Sequence, residues 1–135
     1  MFFTRYEGKL SKIFLNPRIW QNNFLVYNFF ASFTLLLIIW GEVIWALFSI
    51  KNTAFLSLHY SIYFGVDWLG GPAHFFIFPG IATLIFIINF ILSNIFYDKK
   101  KISSYFLSSS VTLLQLFMLV AVSLIIYINW TATST

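Results

Sequence analysis

The run FLVYNFFASFTLLLIIWGEVIWALFSI, residues 24–50, decides the fold. It carries one charged residue, Glu42, and is otherwise apolar apart from Asn28 and a few hydroxyls. A helix that crosses the hydrocarbon core of a bilayer needs about 20 such residues. Two further stretches, residues 75–97 and 105–128, meet the requirement with no charge at all. The whole chain has the same character: of 135 residues 60% are hydrophobic and 9% charged, whereas soluble domains carry about 25% charged residues. This composition excludes a soluble enzyme, a nucleic-acid binder and a disordered tail. It reads as an all-α membrane protein, a single polytopic domain of three transmembrane helices embedded in a lipid bilayer.

The basic residues set the expected orientation. Arg5, Lys9, Lys12 and Arg18 precede the first span, Lys51 follows it, Lys99, Lys100 and Lys101 lie between the second and third, and none follows the third. Lys and Arg accumulate on the cytoplasmic side of membrane segments. The alternation therefore places residues 1–23 in the cytoplasm, the loop 51–74 outside, the loop 98–104 inside and the tail 129–135 outside, in a plasma membrane. The first apolar run is too long for the roughly 7–15-residue core of a cleaved signal peptide, so it is expected to stay as an anchor.

Asn16-Pro17 has the residues of a helix start, a side-chain cap followed by a proline with no N–H to lose, so the first helix is expected to begin near Pro17. Before it, residues 2–14 mix Phe2, Phe3, Tyr6, Leu10, Ile13 and Phe14 with Arg5, Lys9 and Lys12; this is either a basic amphipathic segment on the inner leaflet or a frayed terminus. Pro79-Gly80 predicts either a kink near the external end of the second helix or an irregular turn, with regular helix starting at Phe78.

The first loop is the most informative segment outside the spans. From Phe55 to Phe64 the sequence alternates, with Leu56, Leu58, Tyr60, Ile62 and Phe64 on one side and Phe55, Ser57, His59, Ser61 and Tyr63 on the other. Period-two patterning of aromatic and branched residues predicts a short external β-strand or hairpin. A lone strand has no stability of its own, so it must pair, lie on the membrane surface or cover the external mouth of the helices. Gly65-Val66-Asp67 reads as a turn, and Gly70-Gly71-Pro72 as a break before the second helix.

His59-Tyr60, then Gly65 and Asp67, resemble the His-aromatic, Gly, Asp signature of the small membrane domain in SdpI-type bacterial immunity and signalling proteins. There too the motif follows the first membrane helix on the external side. The His-to-Asp spacing matches; the Gly is displaced by one position, and Ser57 stands where that family usually has Pro. The likeness covers about a fifth of the chain. The whole chain also resembles short uncharacterised three-helix bacterial membrane proteins. Neither resemblance implies a biochemical activity.

The inventory of reactive groups is small. Cysteine is absent, which removes thiolate chemistry, disulfides and iron–sulfur ligation. There is no Gly-rich phosphate loop and no nucleophile elbow, and no cofactor is expected. His59, Asp67 and His74 form a possible external metal set, since imidazole and carboxylate suit zinc and related ions, or His59 and His74 bond backbone at loop–helix junctions. Glu42 lies eight residues before Ile50, about 12 Å inside the end of its helix, where a charge costs about 2.5–3.5 kcal/mol on insertion scales. Three readings compete: a hydrogen bond to a polar residue of another helix, an ion pair with Lys51 or a His, or a proton- or ion-handling role. Gly41 beside it is expected to allow close helix approach. Asn89 and Gln115 read as interhelical glue, with Ser108, Thr112 and Gln115 on one face. The function expected is a non-enzymatic accessory, immunity-like or structural membrane protein, with a protein partner or as a homo-oligomer. The alternatives are a small oligomeric transporter or ion-conducting subunit using Glu42, and a metal-binding external activity.

Overall fold

The computed structural model describes residues 17–49, 56–61, 63 and 65–133. The amphipathic segment read at residues 2–14, the cap at Asn16, and Lys51 lie outside them. The order is helix α1 (Asn23–Ser49), strands β1 (Leu56–Ser61) and β2 (Gly65–Gly70), a 3-10 turn (Pro72–Phe76), helix α2 (Ile77–Tyr97) and helix α3 (Lys101–Thr133). The three helices are long and apolar enough to cross a membrane. The chain divides into two compact units, Met1–Thr34 with Leu84–Leu114, and Leu35–Thr83 with Gln115–Thr135.

Helices α1 and α3 each hide a narrow seam with a seven-residue repeat. On α1 the buried positions are Leu25, Ser32, Leu36, Ile39, Val43 and Ala46; on α3 they include Ser104, Ser108, Val111, Gln115, Val122 and Asn129. Steps of three, four and seven keep one stripe of an α-helix facing inward. Half of these buried residues are Ala, Ser, Asn or Gln and none is aromatic, while Phe48, Phe106, Phe117 and Leu124 are exposed. Small interfacial residues with hydrogen-bonding side chains are what packing between helices in lipid favours.

In the first unit, Asn22 caps α1: its Oδ1 accepts the Leu25 N–H at 3.3 Å. Residues 17–21 form a turn instead of the first helical turn expected at Pro17; the cap five residues later takes over the free N–H groups. Between α2 and α3 the connection is shorter than the loop 98–104 of the sequence reading, because Lys101–Ser104 are already helical. The Lys99 and Lys100 N–H groups both reach Phe96 O, at 3.0 and 2.7 Å, which closes the turn. Ser93 and Ser104 lock the two helices beyond it, with hydroxyls 2.6 Å apart and the Ser104 hydroxyl 3.0 Å from Ser93 O. Phe29 of α1 packs among Phe86 and Phe90 of α2, with centroids at 5.4 and 5.0 Å.

In the second unit the strands form an antiparallel hairpin with Ser57 opposite Leu69, Tyr60 opposite Val66 and Ser61 opposite Gly65. The expected alternation holds where side chains are described, Leu56 and Leu58 being buried and Ser57 less so. The turn expected at Gly65-Val66-Asp67 is strand instead. The chain turns earlier, at exposed Tyr63, so that Gly65 closes the ladder against Ser61 through backbone alone. Gly70 ends β2 under close quarters, since a Cβ there would collide with Leu58 Cδ1 and press on His74.

Pro72 sits at the start of the 3-10 turn. Pro79 is the third residue of α2, where a missing N–H is tolerated because first-turn donors lack intrahelical partners. The irregular turn read from the sequence is thus present, and regular helix starts at Ile77, one residue before Phe78. At its far end α3 continues to Thr133, past the span end read at 128, since no Gly or Pro stops it.

The hairpin is tied to α3 by one side chain. Asn129 Oδ1 accepts the Ser57 N–H at 2.7 Å, and Asn129 Nδ2 donates to Ser57 O at 2.7 Å and to Ile125 O at 2.8 Å. Asn129→Ala leaves both Ser57 peptide groups without these partners, at about 1–3 kcal/mol for buried unsatisfied groups. Amide exchange of residues 56–61 is expected to accelerate about tenfold or more, with helix content unchanged. Unaltered exchange would show that the hairpin does not depend on Asn129.

Candidate functional site

Glu42 lies on the half-exposed flank of the α1 seam, one residue before buried Val43. Ser123 of α3 donates to its carboxylate, 2.9 Å from Oε2 and 3.1 Å from Oε1. Among the described residues the carboxylate has no cationic partner. One turn further along α1 and two turns further along α3, Trp45 and Trp130 stack with centroids 5.5 Å apart and planes within 11°. Glu42, Trp45, Ser123, Ile126, Tyr127 and Trp130 line an open groove of about 440 Å³. The sequence reading singled out Glu42 but missed Ser123, Trp45 and Trp130. A helical wheel could have found the pairs Glu42/Trp45 and Ser123/Trp130, spaced three and seven, though nothing in the sequence brings them together.

Gly41 plays no part in this contact: a Cβ added there meets nothing within 4 Å. The close approach expected at Gly41 is absent among the described residues. On the other flank of α1, Trp40 Nε1 donates to Thr83 Oγ1 at 3.1 Å, and Thr83 in turn donates to Pro79 O at 2.7 Å.

Gln115 is 1% exposed. Its Nε2 donates to Ala82 O at 2.8 Å, which links α3 to α2 as the glue reading expects. Its Oε1 has no hydrogen-bond partner among the described residues. Asn89 does something else: its Nδ2 donates to Ile85 O of its own helix at 2.9 Å, and among the described residues it bonds no other helix. It helps line a small cavity of about 30 Å³ in the first unit, with Ser32, Ser93, Asn94 and Ser108. That volume has room for a water among polar groups. Thr112 shares its single proton between Asn28 Oδ1 at 3.1 Å and Ser108 O at 3.2 Å.

The loop motif is distributed over the hairpin. His59 and Tyr60 belong to β1, Gly65 and Asp67 to β2, and His59 stands opposite Trp68 in the register. The side chains of His59, Tyr60 and Asp67 lie outside the described ones. His74 is exposed in the 3-10 turn with Nδ1 3.2 Å from Gly71 O, which fits its reading as a junction residue bonding backbone. Among the described residues no group of three or more His, Cys, Asp or Glu side chains is placed to hold a metal.

Comparison with protein-family models, with curated proteins and with solved structures found no match.

Two outcomes test this geometry. A double-mutant cycle of Glu42→Leu and Ser123→Ala, read from unfolding in detergent, is expected to give a coupling of about 0.6 kcal/mol, the average for membrane hydrogen bonds; additivity would remove the pair. Gln115→Leu removes an orphan acceptor while keeping volume and should leave stability unchanged or raised, whereas Gln115→Ala opens a cavity and should cost about 2 kcal/mol or more. A large loss in Gln115→Leu would mean that the amide is an essential tie.

Proposed function

We propose that this chain is a non-enzymatic multi-pass protein of the plasma membrane, accessory, immunity-like or structural, that acts through helix–helix contacts in a homo-oligomer or a larger complex. The observation that carries the reading is how little of the apolar surface the chain covers itself. Only 28%, 22% and 22% of the most apolar windows of the three candidate spans are buried. Phe48 and Phe106, 78% and 73% exposed, are among many large side chains that need lipid or another helix around them. Most polar side chains of the spans, among the described residues, hold helices together or bond their own backbone.

The proposed orientation has the N-terminus in the cytoplasm and the C-terminus outside. Its support is the distribution of charge: Arg18, Asp98 and Lys99–Lys101 all belong to the first unit, with Arg18 Nη1 3.4 Å from Asp98 Oδ1, and the hairpin belongs to the second. A second reading, a small oligomeric transporter or ion-conducting subunit, is favoured by the place of the Glu42 carboxylate in an open groove. Loss of proton-coupled flux from vesicles on Glu42→Gln would support it, and unchanged flux would remove it.

Two measurements test the main reading. Purification in a gentle detergent with mass spectrometry should yield a stable partner or a defined oligomer; a lone monomer overturns the assembly. Because the chain has no cysteine, single replacements report topology cleanly. Tyr63→Cys should react with an impermeant maleimide in intact cells, and Lys100→Cys only after the membrane is opened. The reverse pattern would invert the orientation.

A further inference from the structure

The cavity of the first unit is lined from all three helices. Ser32 reaches it from α1, Asn89, Ser93 and Asn94 from α2, and Ser108 from α3. Ser32, Ser93, Asn94 and Ser108 are buried. The donors of this lining are largely spent at short range. Ser32 gives its hydroxyl proton to Asn28 O at 2.8 Å. Asn89 and Asn94 each give an Nδ2 proton to the carbonyl four residues back, at 2.9 and 2.8 Å, and Ser93 is paired with Ser104. The lining is therefore rich in oxygen acceptors, each with two lone pairs. An oxygen that already accepts one bond can accept a second, so a donor finds partners here without any of these groups being unpaired.

The size and polarity of the cavity select its occupant. A water needs about 10–15 Å³ of such space, so the cavity of about 30 Å³ takes about two waters and no organic molecule. An anion would meet lone pairs. A cation would be buried beside Phe29, Phe86 and Phe90 with no carboxylate in the lining, and an uncompensated buried charge is costly. Cavities that stay empty are apolar, whereas this one brings amides and hydroxyls together. Water supplies the protons that the spent donors do not.

We propose that this cavity is an internal hydration site, holding about two water molecules that donate to side chains of α1, α2 and α3 and so join the three helices at one point. The site is complete within one chain and stands apart from both readings above, neither of which uses it.

The test uses the full chain, isotopically labelled at its methyl groups, in an uncharged detergent. Val111 lines the cavity and is buried, and its side chain has no exchangeable proton. Its methyl groups should show a nuclear Overhauser cross-peak to water with the sign of a long-lived internal molecule. Ser108→Val, which fills the cavity, should abolish the cross-peak. Ser108→Ala, which removes a hydroxyl but keeps the space, should retain it. Dissolved xenon, which enters dry apolar cavities, should leave the Val111 methyl resonances in place. Absence of the cross-peak in the unaltered chain, its survival in a folded Ser108→Val, its loss in a folded Ser108→Ala, or a xenon shift overturns the proposal; the first and last need no variant. So does a contact that places a side chain of residues 1–16 against Val111, or a cross-peak that vanishes when sodium and potassium are replaced by N-methylglucamine, the mark of a bound cation.

Discussion

The structure depends on how helices with apolar exteriors are held in register when the hydrophobic effect cannot distinguish one greasy face from another. Here a polar side chain reaches across between neighbouring elements. Ser93 meets Ser104, Thr112 meets Asn28 and Asn22 Nδ2 meets the Tyr105 hydroxyl at 2.7 Å in the first unit. Trp40 meets Thr83, Glu42 meets Ser123 and Gln115 meets the Ala82 carbonyl in the second. Each bond is worth little, about 0.6 kcal/mol on average in membranes. Their value lies in direction: a hydrogen bond fixes rotation about a helix axis, which a contact between Leu and Phe does not. The small residues along the seams let the partners come close enough for these bonds to form.

The two units use the device differently. The first closes on itself with the Ser93–Ser104 pair and a Phe cluster, and its cavity is lined in part by amides that return to their own backbone, as Asn89 and Asn94 do. The second carries the less satisfied groups: the orphan Oε1 of Gln115 and the carboxylate of Glu42, which has a hydroxyl partner but no cation among the described residues. Burying a polar group without a partner costs free energy, a cost that falls on Gln115 Oε1 in this unit.

Much of this was legible in the sequence. Length and hydropathy locate three helices to within a few residues, because a span has to be about 20 residues long and apolar throughout. The period-two pattern at Leu56 and Leu58 gives β1, and Gly71-Pro72 marks the break. What escaped the reading has a common physical origin. The sequence points to a turn at Gly65, the conventional turn residue, whereas the chain turns two residues earlier at Tyr63 and uses Gly65 to pair with Ser61. The sequence places Asn129 in a tail because polar residues after an apolar run look like its end, though it falls seven residues after Val122 and fourteen after Gln115 on one stripe. Asn89, which looked like glue, has its own helix within reach, and sequence alone does not choose between a carbonyl four residues back and one on a neighbour. Ser123, one hydroxyl among many, acquires meaning only when α1 and α3 bring it to Glu42.

Asn129 also changes what the hairpin can do with its neighbours. Both peptide groups of Ser57 turn toward Asn129 and away from β2, so this side chain occupies the open side of β1 as a third strand would. An exposed strand edge is a template onto which another chain can add by main-chain pairing. With a carboxamide already seated there, extension of the sheet across β1 is blunted at Ser57 by a side chain delivered from a helix.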